Sequence, residues 1–175
     1  MTIDREDLIN SIMASLGRMQ HIKLEDIPNI DLYMDQVVTF IHSSLDVFWK
    51  HMGCAPLTKN MVNNYVKAKI ILPPSGKKYS RLSVAMIIVV YILKNCFSTE
   101  DIKKLIEMGL ALPDNALTYN RFCDAVENAL VSVFSGSIHV DNLSEKGREQ
   151  KFLMDSFALA FACKIYVQST FIFSE

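Results

Sequence analysis

The sequence predicts an all-α fold: a helical domain carrying one small basic hairpin, followed by a carboxy-terminal helical unit. Three observations predict it. Apolar residues recur at helical spacing through most of the 175 residues, half of which are apolar, far above the level of a disordered chain. A single stretch, from Ile70 to Arg81, interrupts that rhythm with β-branched residues, Pro73-Pro74 and Ser75-Gly76. The carboxy-terminal stretch from Ser144 to Phe173 carries too little polar surface to stand uncovered.

In chain order, Asp4 to about Met19 reads as a first helix, with Leu8, Ile9, Ile12, Met13 and Leu16 on one stripe and Gly17 near its end. His21 to Asn29 is a connector in which Pro28 blocks helix. Asp31 caps a second helix over Leu32–His51, whose apolar positions include Tyr33, Met34, Val37, Val38, Ile41, Leu45, Phe48 and Trp49. Trp49 lies on that stripe and is assigned to the core. Gly53 to Pro56 then turns the chain.

The next helix, 58–68, begins at Thr58, a good acceptor for free amide donors at a helix start. Leu57, Met61, Val62, Tyr65, Val66 and Ala68 fall on one half of its wheel. Lys59, Asn60, Asn63, Asn64 and Lys67 fall on the other. Asparagine pairs bidentately with adenine, and lysine reaches guanine acceptors or phosphate, so the second face suits a DNA groove. The basic hairpin of residues 73–81 follows, with Lys77, Lys78 and Arg81 around Tyr79. A base-reading helix beside a backbone-gripping hairpin is the plan of a winged helix-turn-helix.

These residues resemble a known family. T-x-x-M-V-N-N-Y-V-x-x-K-I-I-x-P, a basic Tyr-containing wing, an apolar helix and F-S-T-E-D-I-K-K-L-I are similar to the DNA-binding domain of MerR-type regulators, over Leu57 to Glu107. From Ile30 (IDLYMDQVVTFI) through Glu107 the chain also resembles a bacterial family of uncharacterised proteins, a domain of unknown function placed near MerR by such motifs. The resemblance implies a twofold dimer, because the carboxy-terminal helix of MerR-type regulators dimerises. The sequence departs from the MerR pattern in carrying Asn63 where arginine is usual and Lys69 where glycine usually ends the helix, and in its shorter wing.

After the hairpin, a helix from Ser80 or Arg81 to about Asn95 is apolar nearly all round. Its thirteen-residue run LSVAMIIVVYILK is shorter than the about 20 residues that span a bilayer, so it is a central buried helix. Ser98-Thr99-Glu100-Asp101 is an S-x-x-D capping box opening an amphipathic stretch that Gly109 ends. Leu110–Leu117 is a loop and the expected domain boundary, giving a helix-turn-helix domain with its amino-terminal helix over 1–110 and a packing or dimerisation unit over 111–175. Two helices follow, Thr118–Ser135 and Ser144–Phe173. Asp155, Lys164 and Gln168 inside the last one argue against membrane insertion, since a charge near a bilayer centre costs about 2.5–3.5 kcal/mol.

The formal net charge of −1 gives no attraction for nucleic acid, but its distribution does. Between Val47 and Thr99 there is no carboxylate, and eight basic residues give +8, leaving −9 on the rest of the chain. The plainer alternative is that apolar helices excluded acids and the lysines are merely solvated. Cys54, Cys96, Cys123 and Cys163 have no metal or redox spacing and fit reduced thiols in a cytoplasmic protein. The start of the chain, MTIDREDLINSIM, is too charged for a secretory segment. No phosphate loop, dinucleotide fingerprint or zinc-helix motif is present, and Cys54 with His51 lacks an orienting third group. Enzyme activity and cofactors are therefore not expected. The reading is a sequence-specific regulator binding double-stranded DNA as a homodimer. Its alternative is a helix-turn-helix-derived module for protein interaction, or for sensing a small apolar effector, without DNA binding.

Overall fold

The computed structural model describes residues 5–16, 22–138 and 149–172. Among them are eight α-helices and a two-stranded antiparallel ladder, so the all-α expectation with one small β feature stands. The roles expected of Asp4, Gly17, His21, Ser144 and Phe173 lie outside the described residues.

Helix α1 (Arg5–Leu16) buries Ile12 and packs on α3 and α7. A short 3-10 turn, Leu24–Asp26, is fastened to α7, where Tyr119 Oη donates to the Ile22 carbonyl (2.7 Å) and Asn120 Oδ1 accepts from Leu24 N (2.8 Å). The chain then enters strand β1 (Leu32–Tyr33).

The single helix expected over Leu32–His51 is in fact three elements: β1, α2 (Met34–Ser44) and α3 (Asp46–His51). Leu45 breaks the helix, with φ −119° and ψ 27°. Ser43 contributes to the break, because its hydroxyl bonds back to the Thr39 carbonyl (3.0 Å), a contact that loosens and bends helices. Asp46 restarts the helix and pairs with Lys50 at 2.9 Å. The break aims Phe48 into the core, where it meets Phe161 edge-on with centroids 5.4 Å apart. Trp49 is half-buried, with its ring beside His42 and under Lys50.

Helix α4 (Lys59–Lys67) packs on α2 and α5. Strand β2 (Lys78–Tyr79) follows, and its ladder partner is β1, with Leu32 opposite Tyr79 and Tyr33 opposite Lys78. The expected hairpin survives only as its tight turn, in which Ser75 and Lys78 exchange both backbone bonds at 2.9 Å.

Helix α5 (Arg81–Leu93) is the centre, buried from Val84 to Leu93 except at half-buried Met86. Ser98 caps α6 (Thr99–Leu110), accepting from Asp101 N and donating to the Asp101 carboxylate at 2.6 Å. Helix α7 (Asn115–Phe134) starts three residues earlier than expected because Asp114 caps it through Leu117 N (2.8 Å). Residues 111–114 are thus the whole connector at the expected boundary, and one contiguous core runs from Ile12 through α5 to Ile165. Helix α8 (Glu149–Ile172) lies along α7 and buries Ala158, Phe161, Ala162, Ile165 and Ser169.

Candidate functional site

Two hydrogen bonds place the start of α4. His42 Nε2 donates to the Leu57 carbonyl (2.6 Å), and Tyr91 Oη donates to the Ala55 carbonyl (2.9 Å). Thr58 Oγ1 then accepts from Met61 N (3.2 Å), as its position before the helix predicts. Val62 and Tyr65 face the core, and burial pushes the Tyr65 phenol up to about 12. Ala68, expected on the apolar side, is exposed where the helix ends.

Lys59, Asn60, Asn63, Asn64 and Lys67 are all solvent-exposed, so the polar half of the wheel is an open surface. The helix end is a Schellman motif: Ile70 N bonds the Tyr65 carbonyl (3.0 Å) and Lys69 N bonds the Val66 carbonyl (2.9 Å). The motif needs a left-handed residue at position 69, usually glycine, yet Lys69 takes it with φ 57°. The turn repeats this choice, since Gly76 (φ 53°) is followed by Lys77 at φ 66°.

The hairpin residues divide. Lys77 projects into solvent at the turn. Lys78 is half-buried, its ammonium 4.9 Å from the centroid of the Tyr33 ring. Tyr79 points inward and is 2% exposed, so its side chain is not on the surface; register opposite buried Leu32 turns it to the core. Arg81 is half-buried at the start of α5. Backbone and Asn120 hydrogen bonds to the Glu25 carboxylate hold it below the usual carboxylate range, with smaller contributions from the charges of Lys23 and Arg81.

Tyr33 and Asp35 were not marked by the sequence. Helical spacing places Tyr33 on an apolar stripe, but as a strand residue opposite Lys78 it is 51% exposed. Asp35, in the first turn of α2, forms an ion pair with Lys59, and both side chains are more than half exposed. The stretch without carboxylates along the chain is thus not without one in space. Asp35 and Tyr33 are two residues apart, and through them the start of α4 and the lysine turn are brought to one junction.

A model of one family matches residues 22–122, more than half of the chain. The chain belongs to the family described as Domain of unknown function (DUF1836). The matched stretch begins at the residue whose carbonyl takes the Tyr119 hydroxyl and ends three residues after that tyrosine. It therefore holds α2 to α6, the lysine turn and the part of α7 that clamps the 22–26 segment. No curated protein and no solved structure matches the chain.

A second feature lies elsewhere. A groove of about 1080 Å³ opens between α5, α6, α7 and α8, lined largely by apolar side chains such as Met86, Leu105, Met108, Phe122, Met154 and Leu159. Among the described residues no group of three potential metal ligands comes together, and no helix is long and apolar enough to cross a membrane.

Proposed function

We propose that the chain is a sequence-specific DNA-binding regulator of the MerR-like winged helix-turn-helix type, acting as a homodimer. The α4 helix lies in the major groove with Asn60, Asn63 and Asn64 toward base edges, and Lys67 reaches guanine or phosphate. Lys69 and Lys77 grip the backbone from either side, with Lys78 held against Tyr33.

One observation carries this reading: lysines stand where the local backbone disfavours them. Lys69 and Lys77 occupy left-handed positions that a side chain enters at a cost, and Lys59 puts a cation at the positive end of a helix. Packing does not repay Lys69 and Lys77, which are exposed, and at Lys59 the offset comes only from the exposed Asp35 carboxylate. Local rules broken together on one surface mark a functional face. A merely solvated surface requires no such cost. Tyr79, whose side chain is buried, has no direct part in binding on this reading, and half-buried Arg81 adds its charge beside the lysine turn.

The test is fluorescence anisotropy with genomic fragments over a range of salt. Asn63→Ala relaxes preference at one base pair by about 1–3 kcal/mol. Lys77→Ala weakens all sequences alike and reduces the salt slope by about 1. Binding indifferent to salt would overturn the proposal. The α5–α8 groove favours a second reading, a module sensing a small apolar effector, in which the chain binds no fragment at any salt.

A further inference from the structure

A carboxylate on a surface that meets a polyanion is costly unless it finds a donor there. Asp35 is such a carboxylate. Its side chain is 76% exposed, it stands at the junction of β1 and α2, and it holds the Lys59 ammonium at the first residue of α4. Free exposed pairs of this kind contribute little to stability, so folding does not explain the arrangement. Nor is it explained as a phosphate grip, because the neighbouring negative charge cancels the lysine.

We propose that the Asp35–Lys59 pair reads a single G·C base pair in the major groove. This rests on the DNA-binding reading above and adds a residue and a base preference to it. In that groove a G·C pair presents, side by side, the N7 and O6 acceptors of guanine and the N4 amino donor of cytosine. The ammonium of Lys59 donates to O6 and N7 while the carboxylate of Asp35 accepts from N4. An A·T pair sets a donor, the adenine amino group, against the ammonium and an acceptor, thymine O4, against the carboxylate. The ammonium keeps only the N7 acceptor and meets the amino group where O6 stood, while the carboxylate meets O4 with like polarity. The pair is neutral overall, so it takes its energy from base identity rather than from phosphate. Its position at the start of α4 suits this, because the first residues of a helix lying in the groove are those that reach base edges.

The experiment selects bound fragments with the full-length wild-type chain, then measures affinity for the selected site and for its single-base variants. The wild type requires G·C at one position. Asp35→Ala lowers discrimination at that position about 5- to 150-fold and leaves the other positions unchanged. It also steepens the salt dependence by about one ion, since the released Lys59 turns to phosphate. Lys59→Ala loses the same position, and the double variant loses no more there than either single one. Circular dichroism of each variant checks that α2 and α4 remain folded. If Asp35→Ala tightens every sequence equally with all preferences intact, Asp35 is only a repulsive charge and the proposal falls. An unchanged profile sinks it too, while the DNA-binding reading survives. If the wild type binds no fragment, both fall together.

Discussion

Replacing Lys69 with glycine separates stability from function at one position. A non-glycine residue in the left-handed region costs about 1–2 kcal/mol. Glycine at φ 57° removes that strain but brings roughly 0.5–1 kcal/mol of extra unfolded-state entropy. The balance is a gain of about 0.5–1 kcal/mol. Lys69 is exposed, so no packing is lost, and the two Schellman bonds are made by backbone and remain. For a chain of this size that gain raises Tm by about 1–4 °C, readable by differential scanning calorimetry. The same substitution removes one cation beside α4, so DNA affinity falls at low salt and the salt slope shrinks by about 0.9. Opposite signs are the signature. A Tm that stays or falls would refute the strain argument. A raised Tm with DNA binding untouched would refute the assignment of Lys69 to the binding surface.

Other outcomes follow from the core. Phe161→Ala removes the ring that meets Phe48 in a fully buried site and lowers unfolding free energy by about 3–5 kcal/mol, measured by urea titration. Burial pushes the Cys54 and Cys123 thiols from the ordinary 9.0 up to about 12, and Tyr65 from 10.0 up to about 12. The folded chain therefore keeps protons that the unfolded chain releases. Their contribution is whole below about pH 9 and is lost as pH rises toward 12, so urea midpoints measured at about pH 8 and about pH 10.5 must fall. Native-state alkylation followed by mass spectrometry finds Cys54 and Cys123 protected relative to half-buried Cys163.

Much of the helical order was legible because caps and periods are local. Thr58, Ser98 and the run into α5 each announce an element within a few residues, and each stands where the sequence places it. The break at Leu45 was not legible. An apolar stripe continues through it, and only the serine back-bond and the pull of Phe48 toward α8 divide the helix. The hairpin's turn stands near Ser75-Gly76 as expected, but Lys78–Tyr79 takes its strand partner from before α2, a pairing no local signal encodes. Tyr33 follows that pairing, because strand register rather than helical period decides its face. Asp35 is not legible as part of this surface, because it precedes the carboxylate-free stretch in the chain and meets Lys59 only in space. The family adds a boundary to this picture and leaves the chemistry of the surface to experiment.

The segment from Ile22 to Tyr33 has hold of two distant places at once. One end is gripped by Tyr119 and Asn120, and the other zips to Lys78. Like a short tether, it leaves little slack: a sideways slide of α7 must either snap the Tyr119 and Asn120 bonds or tug the zipped end along. The lysine turn thus takes its bearings from α7 as well as from α4, and a mutation that unseats Tyr119 would be heard at Lys77 through the segment that joins them.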